Sequence, residues 1–353
     1  MNKNGLSIQT RPPPPAPSLG TGYRTTAMKA SVVGAGSWGT ALAMLLARNG
    51  HETRLIARDE ATAEELCRDR ENRQYLPGFA FPAGLQVVST DQAALDGDEF
   101  RVLAVPSSAV DDVLPLLQGS PIAVVATKGL HAPSGEVMSD MLEAALPGTH
   151  ITALSGPNLA MEIARGIPTA AVSAGPLEAA TRIRDAFLGP TFRVYVSDDL
   201  RGVELAGALK NVMAIGAGMS DGLGYGDNTK GAFLARGLHE MTRLGLAMGA
   251  QMPTFLGLAG VGDLFATASS RLSRNYRVGH GLGQGQSLDQ VLKEIGQVAE
   301  GVPTCAAAVR LATQHGVEVP IMTMLQAVLT GQLDPREGVV RLMERRTLRE
   351  TGD

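Results

Sequence analysis

The chain has 353 residues, enough for two domains, and its 44% hydrophobic and 19% charged residues are typical of a globular protein with a buried core. Its net charge of −4 argues against a nucleic-acid partner and against attraction to an acidic membrane surface. No apolar run reaches the roughly 18 residues that would span a bilayer, so we predict no stable membrane insertion.

Residues 1–27 are rich in proline, glycine, serine and threonine, with four consecutive prolines at 12–15. Such a segment buries too little apolar area to offset the entropy cost of ordering, so we predict a disordered tail. A signalling role for the proline run is the alternative. We also predict a short tail over residues 346–353.

From Ala30 to about Ser197, short β-branched segments alternate with helical patterns. Strands separated by helices favour right-handed crossovers and a parallel sheet, so residues 28–198 are predicted to form an α/β Rossmann-like dinucleotide-binding domain. The helices include Thr40–Asn49 and Ala61–Arg70. The predicted strands are Ala30–Val33, Thr53–Ala57, Val102–Ala104, Ile122–Ala126, Ile151–Leu154, Thr169–Ser173 and Phe192–Val196.

After Asp198 the strand patterns stop, and residues 199–345 are predicted to form an all-α substrate and catalytic domain. An α/β half followed by a helical half implies a cleft between them. The predicted helices are Leu200–Met219, Lys230–Met248, Leu288–Glu294, Thr304–His315 and Ile321–Leu329.

A glycine-rich turn follows the first strand and opens the first helix: Gly34-Ala35-Gly36-Ser37-Trp38-Gly39. In that setting the glycines allow a tight turn, close approach of the backbone to a pyrophosphate, and close packing of helix on strand. The helix N-terminus adds unpaired N–H groups that favour phosphate. We predict a dinucleotide site here; a merely structural glycine turn is the alternative.

The end of the second strand bears on the choice of cofactor. Arg58 and Asp59 lie about twenty residues past the third glycine, where an acid holds the ribose of NAD and an arginine accommodates the extra phosphate of NADP. Because Arg58 comes first, we predict that NADP(H) is accepted, with NAD(H) possible. A solvated surface arginine is the alternative.

The helical half holds the candidate catalytic groups. Lys210 lies in an apolar helical stretch beside Asn211, so it either reaches water or works in the cleft. Asp263 follows a glycine-rich turn and could pair with Lys210, keeping it charged. The three polar residues Ser273-Arg274-Asn275 are suited to an anion.

The sequence gives no sign of a metal site. Cys67 and Cys305 are far apart, and no CxxC, HxxxH or HExxH pattern occurs. Hydride transfer assisted by lysine needs no metal. Free cysteines of this kind favour a reducing cytoplasm.

Several motifs in one order resemble the bacterial NAD(P)-dependent glycerol-3-phosphate dehydrogenases, over roughly residues 29–345. One departure from that family is Asn158-Leu159-Ala160-Met161-Glu162, where Ser-Phe-Ala-Lys-Glu is common; it puts details of cofactor affinity in doubt. The matching motifs are Gly34–Gly39, Thr127–Leu130, Leu154–Pro157, Ala208–Asn211, Ser220–Lys230, Gly260–Asp263 and Ser273–Asn275.

The resemblance implies a role for each matching position. Lys210 would donate a proton to the ketone or accept it in oxidation, and Lys128 would polarise the carbonyl near nicotinamide and substrate. Trp38 would touch the cofactor, or simply pack against the helix. Besides the two lysines, the implied substrate residues are Gly156, Asn211, Asp263, Ser273, Arg274 and Asn275. The implied cofactor residues are Gly34, Gly36, Ser37, Trp38, Gly39, Arg58, Lys128, Ala160, Arg274, Val298 and Glu300.

The resemblance also implies an activity and an architecture. The expected reaction is reversible hydride transfer between NAD(P)H and dihydroxyacetone phosphate, giving sn-glycerol 3-phosphate for glycerophospholipid synthesis, in a cytoplasmic homodimer whose helical domain resembles the C-terminal domain of 6-phosphogluconate dehydrogenase. One alternative is a related 3-hydroxy-acid or 6-phosphogluconate-type dehydrogenase. The other is a non-catalytic cofactor-binding protein, although Lys128, Lys210 and Asp263 are all present.

Overall fold

A computed structural model describes residues 26–91 and 95–344 of the chain. Within them an eight-stranded sheet flanked by helices is followed by a region built from helices alone, which confirms the predicted fold class. The predicted tails, 1–27 and 346–353, lie outside the described residues except for Thr26 and Ala27.

The sheet has the strand order β3-β2-β1-β4-β5-β6-β7-β8. Neighbouring strands pair in parallel except β6 and β7, which pair antiparallel, so that β7 and β8 run against the other six. The strands are β1 Lys29–Val33, β2 Glu52–Ala57, β3 Leu85–Ser89, β4 Phe100–Leu103, β5 Ile122–Val125, β6 His150–Ser155, β7 Thr169–Ala174 and β8 Phe192–Ser197.

Strand β3 is missing from the sequence prediction. It is an edge strand of five residues in which Gln86 is exposed and Val88 half-buried, so it lacks the continuous apolar run of an inner strand. Strands β4 and β5, by contrast, are buried along their whole length because helices cover both faces of the sheet. These helices are α1 Ser37–Arg48, α2 Glu60–Asp69, α3 Val110–Val113, α4 Met138–Ala145, α5 Ala160–Ala164 and α6 Leu177–Phe187.

The helical half surrounds one central helix, α7, which spans Leu200–Gly222. Its sequence is apolar on nearly all sides, and it is buried from Gly202 to Ser220 except at Glu204. Around it lie α8 Asp227–Ala247, α9 Met252–Leu256, α10 Asp263–Ser269, α11 Arg274–Gly283, α12 Leu288–Ile295, α13 Gly301–Gln314, α14 Pro320–Leu329 and α15 Pro335–Met343.

Helix α7 connects the two halves of the molecule. It packs on β6 of the sheet as well as on α8, α10, α11 and α13. The crossing with α11 is close because a Cβ at Gly279 would lie 1.7 Å from the carbonyl oxygen of Ile215. The middle of α7 is buried where the halves meet, because Asn211 bonds to Lys128 of the α/β half and Lys210 to Asp263 of the helical half. Of the helices in the described ranges, none is both long and apolar enough to cross a membrane.

Candidate active site

The glycine turn between β1 and α1 has the geometry that backbone recognition of a phosphate requires. Gly34 has a φ of +112°, and a Cβ at Gly39 would lie only 1.9 Å from the carbonyl oxygen of Gly34. Gly36 is different, because a Cβ there would meet no atom within 4 Å. The first and third glycines are thus needed by the turn itself, whereas the second leaves open space beside the N-terminus of α1. These residues fit the pyrophosphate of NAD(P).

Ser37 and Trp38, at the start of α1, both have partners within the protein. The Ser37 hydroxyl donates to the carbonyl of Tyr75 at 2.7 Å, and the Trp38 indole donates to that of Ala126 at 3.0 Å. The ammonium of Lys128 lies 5.6 Å from the centre of the Trp38 ring. Trp38 therefore has a packing role, and its contact with a cofactor stays a prediction.

Arg58 and Asp59 lie at the end of β2 and have different roles. Asp59 accepts a hydrogen bond from the backbone N–H of Thr62 and caps α2. Hydrogen bonds from the side chain and the backbone of Thr62, together with Arg58, lower the pKa of its carboxyl to about 2. Arg58 pairs with Asp59 at 2.8 Å, but 87% of its side chain is exposed. Asp59 is therefore committed to the helix, and Arg58 is available to an anion.

Three charged side chains from three segments meet in the cleft. The carboxylate of Asp263, at the start of α10, is buried and receives Lys210 on Oδ1 at 3.0 Å and Lys128 on Oδ2 at 2.9 Å. We call these three residues the lysine–carboxylate cluster. The pairing of Lys210 with Asp263 is the one expected from the sequence, whereas the second ammonium on the same carboxylate was not foreseen.

Burial and charge set the protonation of the cluster. Burial lowers the pKa of Lys210 to about 8, with Asp263 acting to raise it and Lys128 to lower it further. Burial alone would raise the pKa of Asp263, but the two ammonium groups lower it below its ordinary value. Two cations around one anion leave an excess positive charge in a place with little water, which suits an oxyanion.

Thr267 belongs to the site and was missed by the sequence analysis. Its hydroxyl accepts from the Lys210 ammonium at 2.6 Å and lies 3.1 Å from Oδ1 of Asp263. A signal was available, because residues four apart lie on the same face of a helix, and Thr267 follows Asp263 by one turn of α10. A short π-helical segment, Leu258–Gly262, leads into that turn.

Lys128 is held by the loops at the carboxyl ends of β5 and β6. Its ammonium donates to the carbonyl of Gly156 at 2.8 Å, and its own carbonyl accepts from the amide of Asn211 at 2.9 Å. Gly156 has a φ of +140°, which favours glycine. Lys128, Gly156 and Asn211 are therefore brought together, as the substrate prediction requires.

Asn158 is a second residue that the predicted site did not include. Both polar atoms of its side-chain amide are out of contact with solvent, and neither has a hydrogen-bond partner within the described residues. Its nitrogen lies 3.3 Å from the Cβ position of Gly156, beside the loop that anchors Lys128. A signal was available in the sequence, because Asn158 begins the segment in which this chain differs from the common Ser-Phe-Ala-Lys-Glu. Met161 and Ala160 pack against the core of the α/β half.

The N-terminus of α11 supplies the predicted anion-binding triplet. The Ser273 hydroxyl caps the helix by accepting from the backbone N–H of Tyr276, and the Asn275 side-chain oxygen accepts from the backbone N–H of Gly301. The side chain of Arg274 is half-buried, and its guanidinium has no hydrogen bond or ion pair to any residue of the described ranges. Burial lowers its pKa, and the charge of Glu300 acts against that. A half-buried arginine of this kind can take an anionic ligand.

The remaining predicted cofactor residues are more scattered. Glu300 joins the two halves, because its carboxylate accepts from the backbone N–H and the hydroxyl of Ser107 at 3.0 and 2.6 Å and approaches Gly129. Val298 is exposed nearby. Arg58, at the end of β2, has no described contact with the lysine–carboxylate cluster.

Comparisons with known proteins give one consistent family. Residues 29–180 match the N-terminal domain, and residues 199–340 the C-terminal domain, of NAD-dependent glycerol-3-phosphate dehydrogenase. A glycerol-3-phosphate dehydrogenase [NAD(P)+] from Thermus thermophilus is 49% identical over 319 residues, 90% of this chain and 98% of that protein. One from Carboxydothermus hydrogenoformans is 47% identical over 325 residues, 90% of this chain and 97% of that protein.

Solved structures agree with the sequence relatives. The glycerol-3-phosphate dehydrogenase of Coxiella burnetii superposes with a TM-score of 0.86 at 36% identity, covering 90% of this chain and 99% of that one. A D-mandelate dehydrogenase bound to NADH superposes with a TM-score of 0.60 at 13% identity, covering 86% of this chain and 98% of that one, which shows a shared fold alone.

Proposed function

Because this chain belongs to the NAD-dependent glycerol-3-phosphate dehydrogenase family, we propose how its own residues carry out the reaction of that family. The chain is an NAD(P)-dependent oxidoreductase that interconverts dihydroxyacetone phosphate and glycerol 3-phosphate. One observation carries the assignment of roles: the buried carboxylate of Asp263 holds the ammonium groups of Lys128 and Lys210 side by side.

Lys210 is the proposed proton donor to the ketone oxygen, and the acceptor when the alcohol is oxidised. A group with a pKa of about 8 is mostly protonated near neutral pH yet releases its proton readily. Asp263 and Thr267 fix the direction of the ammonium, since each forms a hydrogen bond with it. When bound, the nicotinamide supplies the hydride for the carbonyl carbon.

Lys128 has an electrostatic role in the proposal. Its ammonium is fixed between the carbonyl of Gly156 and Asp263, and it lies in the same cluster as the proton donor. A preorganised cation stabilises charge that develops on the substrate oxygen without having to reorganise during the reaction. Asn211 supports it by holding the backbone of Lys128.

The phosphate of the substrate is the proposed ligand of Arg274, together with the N-terminus of α11. The guanidinium is half-buried without a partner of its own in the described residues, and Ser273 and Asn275 fix the helix start on which it stands. Gly156 and Asn158, beside the ammonium of Lys128, are proposed to contact the same substrate. Arg274 also lies within the electrostatic reach of Glu300, a predicted cofactor residue.

The cofactor would lie along the glycine turn, with its pyrophosphate beside Gly36. Support comes from the open space at Gly36 and from the free N-terminus of α1, whose cap residue offers no side chain. Arg58, exposed at the end of β2, would meet the extra phosphate of NADP(H), while NAD(H) would bind without that contact.

A dehydrogenase acting on a 3-hydroxy acid or on 6-phosphogluconate is the competing proposal within the same fold. The distant structures, such as the D-mandelate dehydrogenase, support nothing beyond the fold. The identities near 50% with glycerol-3-phosphate dehydrogenases favour the first proposal, and the lysine–carboxylate cluster argues against a non-catalytic cofactor-binding protein.

The direct test is oxidation of NADPH and of NADH on addition of dihydroxyacetone phosphate, beside a panel of 3-keto acids and sugar phosphates. We expect a rate with dihydroxyacetone phosphate that far exceeds the others, and loss of that rate in Lys210→Ala. A higher rate with any other compound of the panel would show that dihydroxyacetone phosphate is not the preferred substrate.

We propose further that the protein acts as a cytoplasmic homodimer whose product enters glycerophospholipid synthesis. Cys67 is exposed and free, which is compatible with a reducing compartment. Light scattering coupled to size-exclusion chromatography tests the dimer, and a monomeric mass at working concentration would contradict it.

A further inference from the structure

A small cavity lies beside Lys128 of the lysine–carboxylate cluster, where α7 meets the ends of β5 and β6. Its volume is about 10 Å³, and its wall includes Thr127, Lys128, Ser155, Glu204 and Gly207. A space of about this size holds a single water molecule when polar groups line it.

Two polar atoms in the wall of this cavity lack partners. Oε2 of Glu204 and Oγ of Ser155 are out of contact with solvent, and neither has a hydrogen-bond partner within residues 26–91 and 95–344. The other carboxyl oxygen of Glu204 accepts from the backbone N–H of Ser139 near the start of α4. A buried carboxyl oxygen and a buried hydroxyl are costly without partners, so both call for a ligand.

The cavity is connected to the reacting groups through the backbone. Ser155 directly precedes Gly156, whose carbonyl anchors the Lys128 ammonium at 2.8 Å. A Cβ at Gly207 would lie 2.7 Å from the Ser155 hydroxyl, so a larger residue at position 207 would have to displace that hydroxyl. Whatever fixes Ser155 also fixes the carbonyl that holds Lys128.

We propose that the cavity binds one water molecule bridging Glu204 Oε2 and Ser155 Oγ, and that Glu204 is thereby a positioning residue for Lys128. The inference rests on the proposed role of Lys128. The carboxyl of Glu204 touches neither reactant; it acts through the water, Ser155 and the carbonyl of Gly156.

The surroundings of Glu204 favour its neutral form, which can donate to that water. Burial raises the pKa of Glu204 to about 8, against the hydrogen bond from Ser139, and the acidic neighbours Asp140 and Glu143 act in the same direction as burial. Two of the charged groups around the Glu204 carboxyl have partners of their own. Asp140 is paired with Arg201 at 2.6 Å, and Lys128, which also lines the cavity, is paired with Asp263. Above about pH 8 the carboxyl loses its proton, so it accepts from the water instead of donating and places a negative charge in the cavity that Lys128 also lines, which draws on the Lys128 ammonium.

The test compares Glu204→Gln with Glu204→Leu in the full-length protein. The amide can replace a neutral carboxyl, accepting from Ser139 and donating to water, so we expect the kcat of Glu204→Gln for dihydroxyacetone phosphate at neutral pH to stay near the parent value. Glu204→Leu cannot hold the water, and we expect kcat to fall by about tenfold through misplacement of Lys128, with an unchanged KM for NADPH. Glu65→Gln, at an exposed position of α2 and without a described contact to Glu204, is the matched control and should behave as the parent.

Two further readouts separate positioning from simple loss of stability. The parent should lose activity more steeply above pH 8 than Glu204→Gln, because two groups titrate in the parent and only Lys210 in the variant. A crystal structure at about 1.5 Å should show one water in the cavity of the parent and of Glu204→Gln. If Glu204→Leu does not fold, the pH profiles and the crystallographic water are sufficient to test the positioning role of Glu204.

The inference is overturned by a dry cavity in the parent, by a kcat of folded Glu204→Leu equal to that of the parent, or by identical pH profiles of the parent and Glu204→Gln. A parent protein inactive with dihydroxyacetone phosphate would instead refute the proposed function. The crystallographic water is independent of that activity, so the two failures are distinguishable.

Discussion

The glycine turn of the α/β half and the lysine–carboxylate cluster of the cleft bind their ligands by different means. The turn spans six consecutive residues and works through backbone geometry, with Gly34 at positive φ and Gly36 open to solvent. The cluster depends on side chains from the loop after β5, from α7 and from α10. Lys210 and Asp263 are 53 positions apart in the sequence, and Lys128 and Asp263 are 135 positions apart. A binding site made from consecutive residues can be predicted from a short motif, whereas a site made from distant residues forms only when the chain folds.

The strongest test of this comparison removes chemistry from the cluster and leaves the turn intact. In Lys210→Ala we expect kcat for dihydroxyacetone phosphate to fall by about 10³-fold, the usual size of a lost proton donor. NADPH binding, followed by its fluorescence, should be unchanged because no described contact joins Lys210 to the glycine turn.

The control for Lys210 is Thr267→Val, which keeps the ammonium and its partner Asp263 but removes one hydrogen bond. Its kcat should fall by about tenfold, in keeping with one lost hydrogen bond to a charged group. A Lys210→Ala variant within a few-fold of the parent would take the proton-transfer role away from that residue.

The reverse experiment changes the turn and leaves the cluster intact. In Gly36→Ala the new methyl group meets no protein atom within 4 Å, and the backbone φ of −76° is open to alanine, so thermal stability should stay near that of the parent. The same methyl group would occupy the space proposed for the pyrophosphate, and we expect the Kd for NADPH to rise by tenfold or more, about 1.4 kcal/mol.

Gly39→Ala is the matched variant for Gly36→Ala. Its Cβ would lie 1.9 Å from the carbonyl oxygen of Gly34, so this variant should lose stability as well as affinity. Calorimetry of the free protein and titration with NADPH measure the two effects. Equal affinities of Gly36→Ala and the parent would place the pyrophosphate elsewhere.

The pH dependence of the reaction sharpens the role of the cluster. Burial lowers the pKa of Lys210 to about 8, so ketone reduction, which needs the ammonium, should decline by at least about tenfold per pH unit above that value. Oxidation of glycerol 3-phosphate needs the free amine and should increase through the same range. Initial rates in both directions from pH 6 to 10 check this, and a reduction rate that stays flat to pH 10 would contradict it.

The difference between the two regions also explains which features the sequence could predict. The alternation of strands and helices and the glycine turn depend on neighbours along the chain, so the Rossmann-like half and the helical half were both predicted. Strand β3 was not, because an edge strand with Gln86 exposed lacks the apolar run of β4. In the cleft, Lys210 stood out as a cation in an apolar helix, and resemblance added Lys128.

The sequence alone does not predict the long-range contacts of the site. That one carboxylate serves two lysines follows from the approach of α10 to the end of β5, which no local pattern encodes. Glu204 is a similar case, because a glutamate four residues into a helix usually faces solvent, and only the packing of α7 on the sheet buries its carboxyl.

Arg58→Ala is expected to have the smallest effect. It tests whether a side chain of the α/β half, in addition to the backbone of the glycine turn, contributes to cofactor binding. The Arg58 guanidinium is 87% exposed, and an exposed ion pair contributes no more than about 1 kcal/mol, so the KM for NADPH should rise by about fivefold. The KM for NADH should not change, because NADH lacks the extra phosphate, and Asp59 still caps α2 in the variant. Arg68→Ala, another exposed arginine, which pairs with Asp69 on α2, is the control and should alter neither KM. If NADPH and NADH respond equally to Arg58→Ala, the arginine does not read the phosphate, and cofactor choice depends on the backbone of the turn alone.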